Sequence, residues 1–94
     1  MTDHETNLAI QKKVAIRFVA MQGGVEEIRF TQEGGKPGLG ASWRADAVVT
    51  IDGVEYRETL GPSILSGDSL PDIPPSAHNQ TTVIFSDGTR DLIE

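Results

Sequence analysis

Ala41 to Leu60 reads ASWRADAVVTIDGVEYRETL, and its alternation decides the fold. Ala41, Trp43, Ala45, Ala47, Val49 and Ile51 share one face, because side chains alternate along a strand. Ser42, Arg44, Asp46, Thr50 and Asp52 take the other, with Val48 the apolar exception. Asp52-Gly53 predicts a type I′ hairpin turn, whose two central residues need positive φ. Folding there sets Ile51 opposite Val54, Val49 opposite Tyr56, Ala47 opposite Glu58 and Ala45 opposite Leu60. A slip of one residue would turn that apolar set into water.

Upstream, Glu33 to Gly40 (EGGKPGLG) is too rich in Gly and Pro to continue a strand. Before it, residues 25–32 alternate as a strand, with Ile28 and Phe30 on one side and Glu27, Arg29 and Thr31 on the other. Residues 2–22 predict a helix. Thr2 and Glu5 make a capping box, and Ile10, Val14, Phe18 and Met21 form an apolar stripe widened by Leu8, Ala15 and Val19. Gly23-Gly24 ends it.

Downstream, residues 61–80 form a long loop with four prolines and four serines. Loops beyond about 12–15 residues are uncommon in compact domains and are often functional. Ile64, Leu65, Leu70 and Ile73 are able to pin it to the core. Residues 81–85 (TTVIF) form a further strand, Ser86 to Thr89 a turn, and the last residues a short tail strand. The expectation is a single α+β domain over 1–94. Its helix lies across an antiparallel meander of four strands (25–32, 41–51, 54–60 and 81–85), in the order α-β-β-β-β, with the tail as a fifth.

Composition narrows function. With 8 basic and 14 acidic residues the formal net charge is −6, which disfavours nucleic acid and anionic membrane surfaces. The chain has no cysteine, hence no disulfide framework and no thiolate chemistry. No apolar run approaches the roughly 20 residues of a spanning helix. No secretory leader is expected within these residues.

Motifs that suggest chemistry fail on spacing. In Gly34-Gly35-Lys36-Pro37-Gly38-Leu39-Gly40, Pro37 stands where a phosphate loop needs Ser or Thr, and Trp43 where a dinucleotide loop needs Gly. In Val83 to Thr89 the haloacid-dehalogenase pattern has Phe85 where its nucleophilic Asp belongs. His4 and His78 have no metal-ligand spacing, and Asp68 with Asp72 supplies too few oxygens for calcium. Ser63, Ser66 and Ser69 lack a nucleophile elbow, and the Asn79-Gln80-Thr81 sequon is a short common pattern. Glu58 falls on the apolar face, which predicts a place at the sheet margin, a pair with an Arg such as Arg17, or a perturbed acid. Trp43 and Tyr56 are expected in the core. No catalytic residue, cofactor or metal site is expected.

Ile28-Arg29-Phe30-Thr31 followed by Pro37-Gly38-Leu39-Gly40 resembles small uncharacterised lipoproteins of Gram-positive bacteria, which carry a helix, an I-x-F-T strand and a P-x-G loop before a hairpin. The resemblance spans about residues 15–53. It implies a helix-on-meander fold of cystatin-like type, a lipid-anchored extracytoplasmic setting and no known reaction. The family's lipid-bearing cysteine does not occur in these residues.

Three classes remain. The first is a non-enzymatic binding module for a protein partner, associated with the cell envelope if the resemblance holds. The second is a cytoplasmic accessory, immunity or inhibitor-type protein whose acidity complements a basic partner. The third is an enzyme built from scattered carboxylates. The expected partner surface is the long loop, with Ile64, Leu65, Asp68, Leu70, Asp72 and Ile73, in a monomer or weak dimer.

Overall fold

The computed structural model describes residues 3–36, 38, 40–62, 65–75 and 80–93. A helix α1 (Asp3–Met21) leads into six strands: β1 (Val25–Phe30), β2 (Ala45–Ile51), β3 (Val54–Leu60), β4 (Leu65–Gly67), β5 (Thr81–Ile84) and β6 (Arg90–Ile93). They form one sheet in the order β4-β3-β2-β1-β5-β6.

The class is α+β, but the sheet is not a four-stranded antiparallel meander. Strands β1 to β4 do run as a meander. The chain then returns to the free edge of β1, where β5 pairs in parallel, Ile28 opposite Val83. Strand β6 adds antiparallel to β5. The extra strands satisfy two edges that a shorter sheet would leave unpaired.

The central hairpin forms in the expected register, Ala45 opposite Leu60 through Ile51 opposite Val54. Asp52 and Gly53 have φ of 52° and 79°, both positive as a type I′ turn requires. Strand β2 begins at Ala45 rather than residue 41, and β1 ends at Phe30 rather than residue 32. Between these two ends Gly34, at φ 91°, lies against the Trp43 ring, where a Cβ would stand 2.3 Å from Cζ2.

The helix buries Gln11, Val14, Ala15, Phe18 and Val19. Its buried face is thus turned from the expected stripe, since Ile10 is only half-buried and Met21 is 55% exposed. The acids Asp3 and Glu5 occupy the first turn, where the helix dipole favours them. The expected Thr2 cap lies outside the described residues. Beneath the helix, Val25, Ile28, Phe30, Ala45, Val49, Ile51, Leu60 and Val83 complete the core with Trp43 and Ile93. Burial of each large side chain such as Phe18 or Ile28 contributes about 1.5–3 kcal/mol. The described helix is not long and apolar enough to cross a membrane.

Segment 68–75 crosses beneath the C-terminal end of α1. Gly23 N donates to Ile73 O at 3.0 Å and Gln22 Nε2 to Pro71 O at 2.9 Å. The expected long loop is therefore interrupted by β4 and then partly packed, because Leu70 and Ile73 lie against the core.

Candidate functional site

The helix covers one face of the sheet. The other face carries the alternate residues, all exposed or half-buried, and no described helix or strand packs on it. The registers arrange them in rows across the strands. Arg57 faces Val48, Val48 faces Arg29, Arg29 faces Ile84 and Ile84 faces Arg90. Three guanidiniums therefore alternate with two apolar side chains across β3, β2, β1, β5 and β6.

The row on one side reads Glu55, Thr50, Glu27, Thr82, Leu92. The row on the other contains Asp46 opposite Thr59, and Ser66 opposite Thr59. Arg29 and Glu55 approach at 4.0 Å, both largely exposed, which makes a weak pair. Asp46 accepts from the Thr59 hydroxyl at 2.9 Å. Within these rows three positive and three negative charges cancel, so the net charge of −6 belongs to the remainder of the molecule.

Neighbouring strands lie about 4.8 Å apart, so successive arginines of the row are about 9.6 Å apart at the backbone. A depression of about 460 Å³ opens over Val48 between Arg29 and Arg57, with Thr31, Asp46 and Thr59 also lining it. A second, of about 440 Å³, is lined by Thr82, Arg90, Asp91 and Leu92. Guanidinium groups over half-buried Val48 and Ile84 offer planar donors beside apolar contact, a combination suited to carboxylate recognition.

A second polar group joins the start of α1 to two loops. His4 Nδ1 meets Glu33 Oε1, and His4 Nε2 lies 3.8 Å from Asp87 Oδ2. Asn7 donates to Glu33 Oε2 at 3.0 Å and accepts from the Trp43 indole at 3.1 Å. The Glu33 carboxylate raises the pKa of His4, and His4 in turn holds Glu33 below the usual range, with Asn7 assisting. The Thr89 hydroxyl and amide do the same for Asp87. These bonds tie the helix to the loop after β1 and to the β5–β6 turn. Among the described residues no three His, Asp or Glu side chains gather as metal ligands.

Glu58 is buried at 4% exposure, neither at the margin nor paired with Arg17 through Oε2, which has no hydrogen-bond partner. It faces Ala47 on one side and Gly67 on the other. Burial pushes its carboxyl up, and the charge of Asp68 adds to this.

The residues expected at the partner surface are dispersed. Leu65 is in the edge strand β4, 48% exposed, and packs toward the helix with Met21 and Leu60. Asp68 is exposed and accepts from the Arg57 amide at 2.9 Å, continuing the ladder past Gly67. Asp72 is exposed, while Leu70 and Ile73 are half-buried. Ile64 lies outside the described residues, as do His78, Ser63, Pro37, Leu39 and Asn79. Trp43 is buried and Tyr56 half-buried on the core side.

The arginine row was missed in the sequence because Arg29, Arg57 and Arg90 are far apart in the chain. The hairpin register already placed Val48 opposite Arg57; the pairing of β1 with β2 and β5 was the missing step. Compared with protein-family models, curated proteins and solved structures, the chain matches none.

Proposed function

We propose that this chain is a non-enzymatic interaction module that docks a protein partner on the uncovered face of its sheet, through acidic groups of the partner. The observation that carries this is the row Arg57, Val48, Arg29, Ile84, Arg90. Three of the 8 basic residues of an acidic protein stand in one line over two depressions. The polar group at the start of α1 is occupied in joining loops, which supports a scaffold role for it.

The test is a titration of the labelled protein with poly-L-glutamate, read by amide chemical shifts. The expected result is movement at Arg29, Val48, Arg57 and Ile84, abolished by Arg29→Glu with Arg57→Glu. Shifts confined to residues 65–75 would instead move the docking surface to the loop.

A second reading rests on the charge outside those rows. That remainder bears the whole excess of acid, which favours a basic partner of the immunity or inhibitor type. Shifts with poly-L-lysine and none with poly-L-glutamate support that reading. The lipid-anchored, extracytoplasmic setting also belongs to the proposal and rests on the resemblance alone. Cell fractionation with the intact mass of the native product tests it.

A further inference from the structure

We infer that the partner segment is a polyproline-II strand with an acidic residue at every third position, laid along the row Arg57, Arg29, Arg90. The inference rests on the docking face proposed above and specifies its ligand.

Spacing carries the argument. Alternate strands are about 9.6 Å apart. A polyproline-II chain has three residues per turn and rises about 3.1 Å per residue, so residues i, i+3 and i+6 share one side at about 9.3 Å intervals. A β-strand does not fit, because its residues i and i+3 point to opposite sides. An α-helix matches less well, because its same-side residues recur at about 5.4 Å per turn, or about 10.5 Å at i and i+7. The sheet twists by about 20–25° per strand, and long arginine side chains accommodate the turn of the surface between alternate strands.

The neighbouring rows explain why the acids must be spaced. Glu55 and Glu27 line one side of the arginines and Asp46 the other. A uniformly charged polyanion sets negative charge against those carboxylates as well as against the arginines. A segment with acids only at every third residue meets the guanidiniums and leaves neutral residues beside Val48 and Ile84. Proline there costs no backbone donor, since polyproline-II has no internal hydrogen bonds, and it presents apolar surface to the half-buried Val48 and Ile84.

The probes are a fluorescent peptide of repeated Glu-Pro-Pro and an isomer of the same composition with its glutamates consecutive. Binding is read by fluorescence anisotropy at low salt and the contact surface by amide shifts. The repeat peptide is expected to bind about tenfold more tightly, since three ion pairs form in register rather than one. Arg29→Gln, Arg57→Gln and Arg90→Gln should each weaken it about threefold, the scale of an exposed ion pair. Glu55→Gln should strengthen it by a similar factor, because it releases Arg29 from its only close carboxylate among the described residues.

Equal affinity for the two peptides overturns the inference, as does an Arg90→Gln protein that binds the repeat like the native chain. Either result leaves the docking face standing if poly-L-glutamate still moves the amides of β1, β2 and β3. Absence of shifts in those strands with both poly-L-glutamate and the repeat peptide removes the docking face itself.

Discussion

Gln11 of the helix and Ser86 of the β5–β6 turn grip each other across 75 positions: Nε2 donates to the Ser86 hydroxyl at 2.8 Å, and Oε1 accepts from the Ser86 amide at 3.1 Å. Gln11 is fully buried, and the same Nε2 also donates to the Glu33 carbonyl at 2.8 Å. One side chain therefore holds both loops that frame the start of the helix. Gln11→Leu roughly keeps the volume but takes this partner from the Ser86 amide and the Glu33 carbonyl, both in half-buried residues. A loss of about 1–3 kcal/mol is expected, because water reaches such groups only in part and each one fully buried and unpaired costs about 1–3 kcal/mol. Urea unfolding measures it, and a loss below about 0.5 kcal/mol would show that water replaces the clamp.

The contact between His4 and Glu33 makes stability depend on pH. His4 is raised from 6.5, so its contribution is complete below that value and disappears as pH rises through the folded value. Glu33 is lowered from 4.5, so its contribution is complete above that value and disappears as pH falls through the folded value. Both act together between those limits. His4→Gln should lower the melting temperature at about pH 5.5, and by less at an alkaline pH above the folded His4 value, where the imidazole is neutral. An equal drop at both values would assign His4 a packing role independent of its charge.

Glu58 has the opposite character. Its carboxyl is raised by burial and by Asp68, so the folded chain holds a proton that the unfolded chain releases. Stability therefore falls as pH rises from 4.5 through the folded value and stays reduced above it. Glu58→Gln removes the buried charge and retains the shape. A gain of about 0.5–2 kcal/mol at neutral pH is expected, shrinking as the pH approaches 4. Chemical denaturation at both ends of that range checks it, and a gain that does not vary with pH would point to shape rather than charge.

These three side chains mark where sequence reasoning reached its limit. The hairpin was legible because its information is local: Asp52-Gly53 specifies the turn, and alternation specifies the register. The helix was legible from its apolar spacing, but its rotation was not. Gln11 lies three positions before Val14 and seven before Phe18, a polar residue on the buried stripe, and that was the available signal. The parallel pairing of β1 with β5 has no local signature, since Ile28 and Val83 meet only after the chain has crossed the domain. Strand β4 is three residues long and ends in a glycine, too short to show alternation. The arginine row inherits both difficulties, because it exists only once β1 lies between β2 and β5.

Gly23 tests whether segment 68–75 belongs to the scaffold or to a docking surface. A Cβ at Gly23 would stand 1.9 Å from the Pro74 carbonyl oxygen and 2.8 Å from Cγ2 of Ile73. A carbonyl oxygen in a prolyl backbone cannot move aside as a flexible side chain does. Gly23→Ala must therefore push residues 73 and 74 from the end of α1, break the bond from the Gly23 amide to Ile73 O and expose Ile73. The expected loss is about 2–3 kcal/mol, the scale of overpacking a close contact. Gly35→Ala is the control: a Cβ there meets nothing within 4 Å, and a change below about 0.5 kcal/mol is expected. Gly23→Ala protein that remains folded should still take poly-L-glutamate on the arginine row, which lies on the other face of the sheet. If it unfolds like the native chain and loses that binding instead, the crossing segment yields freely, and residues 65–75 become the better docking surface.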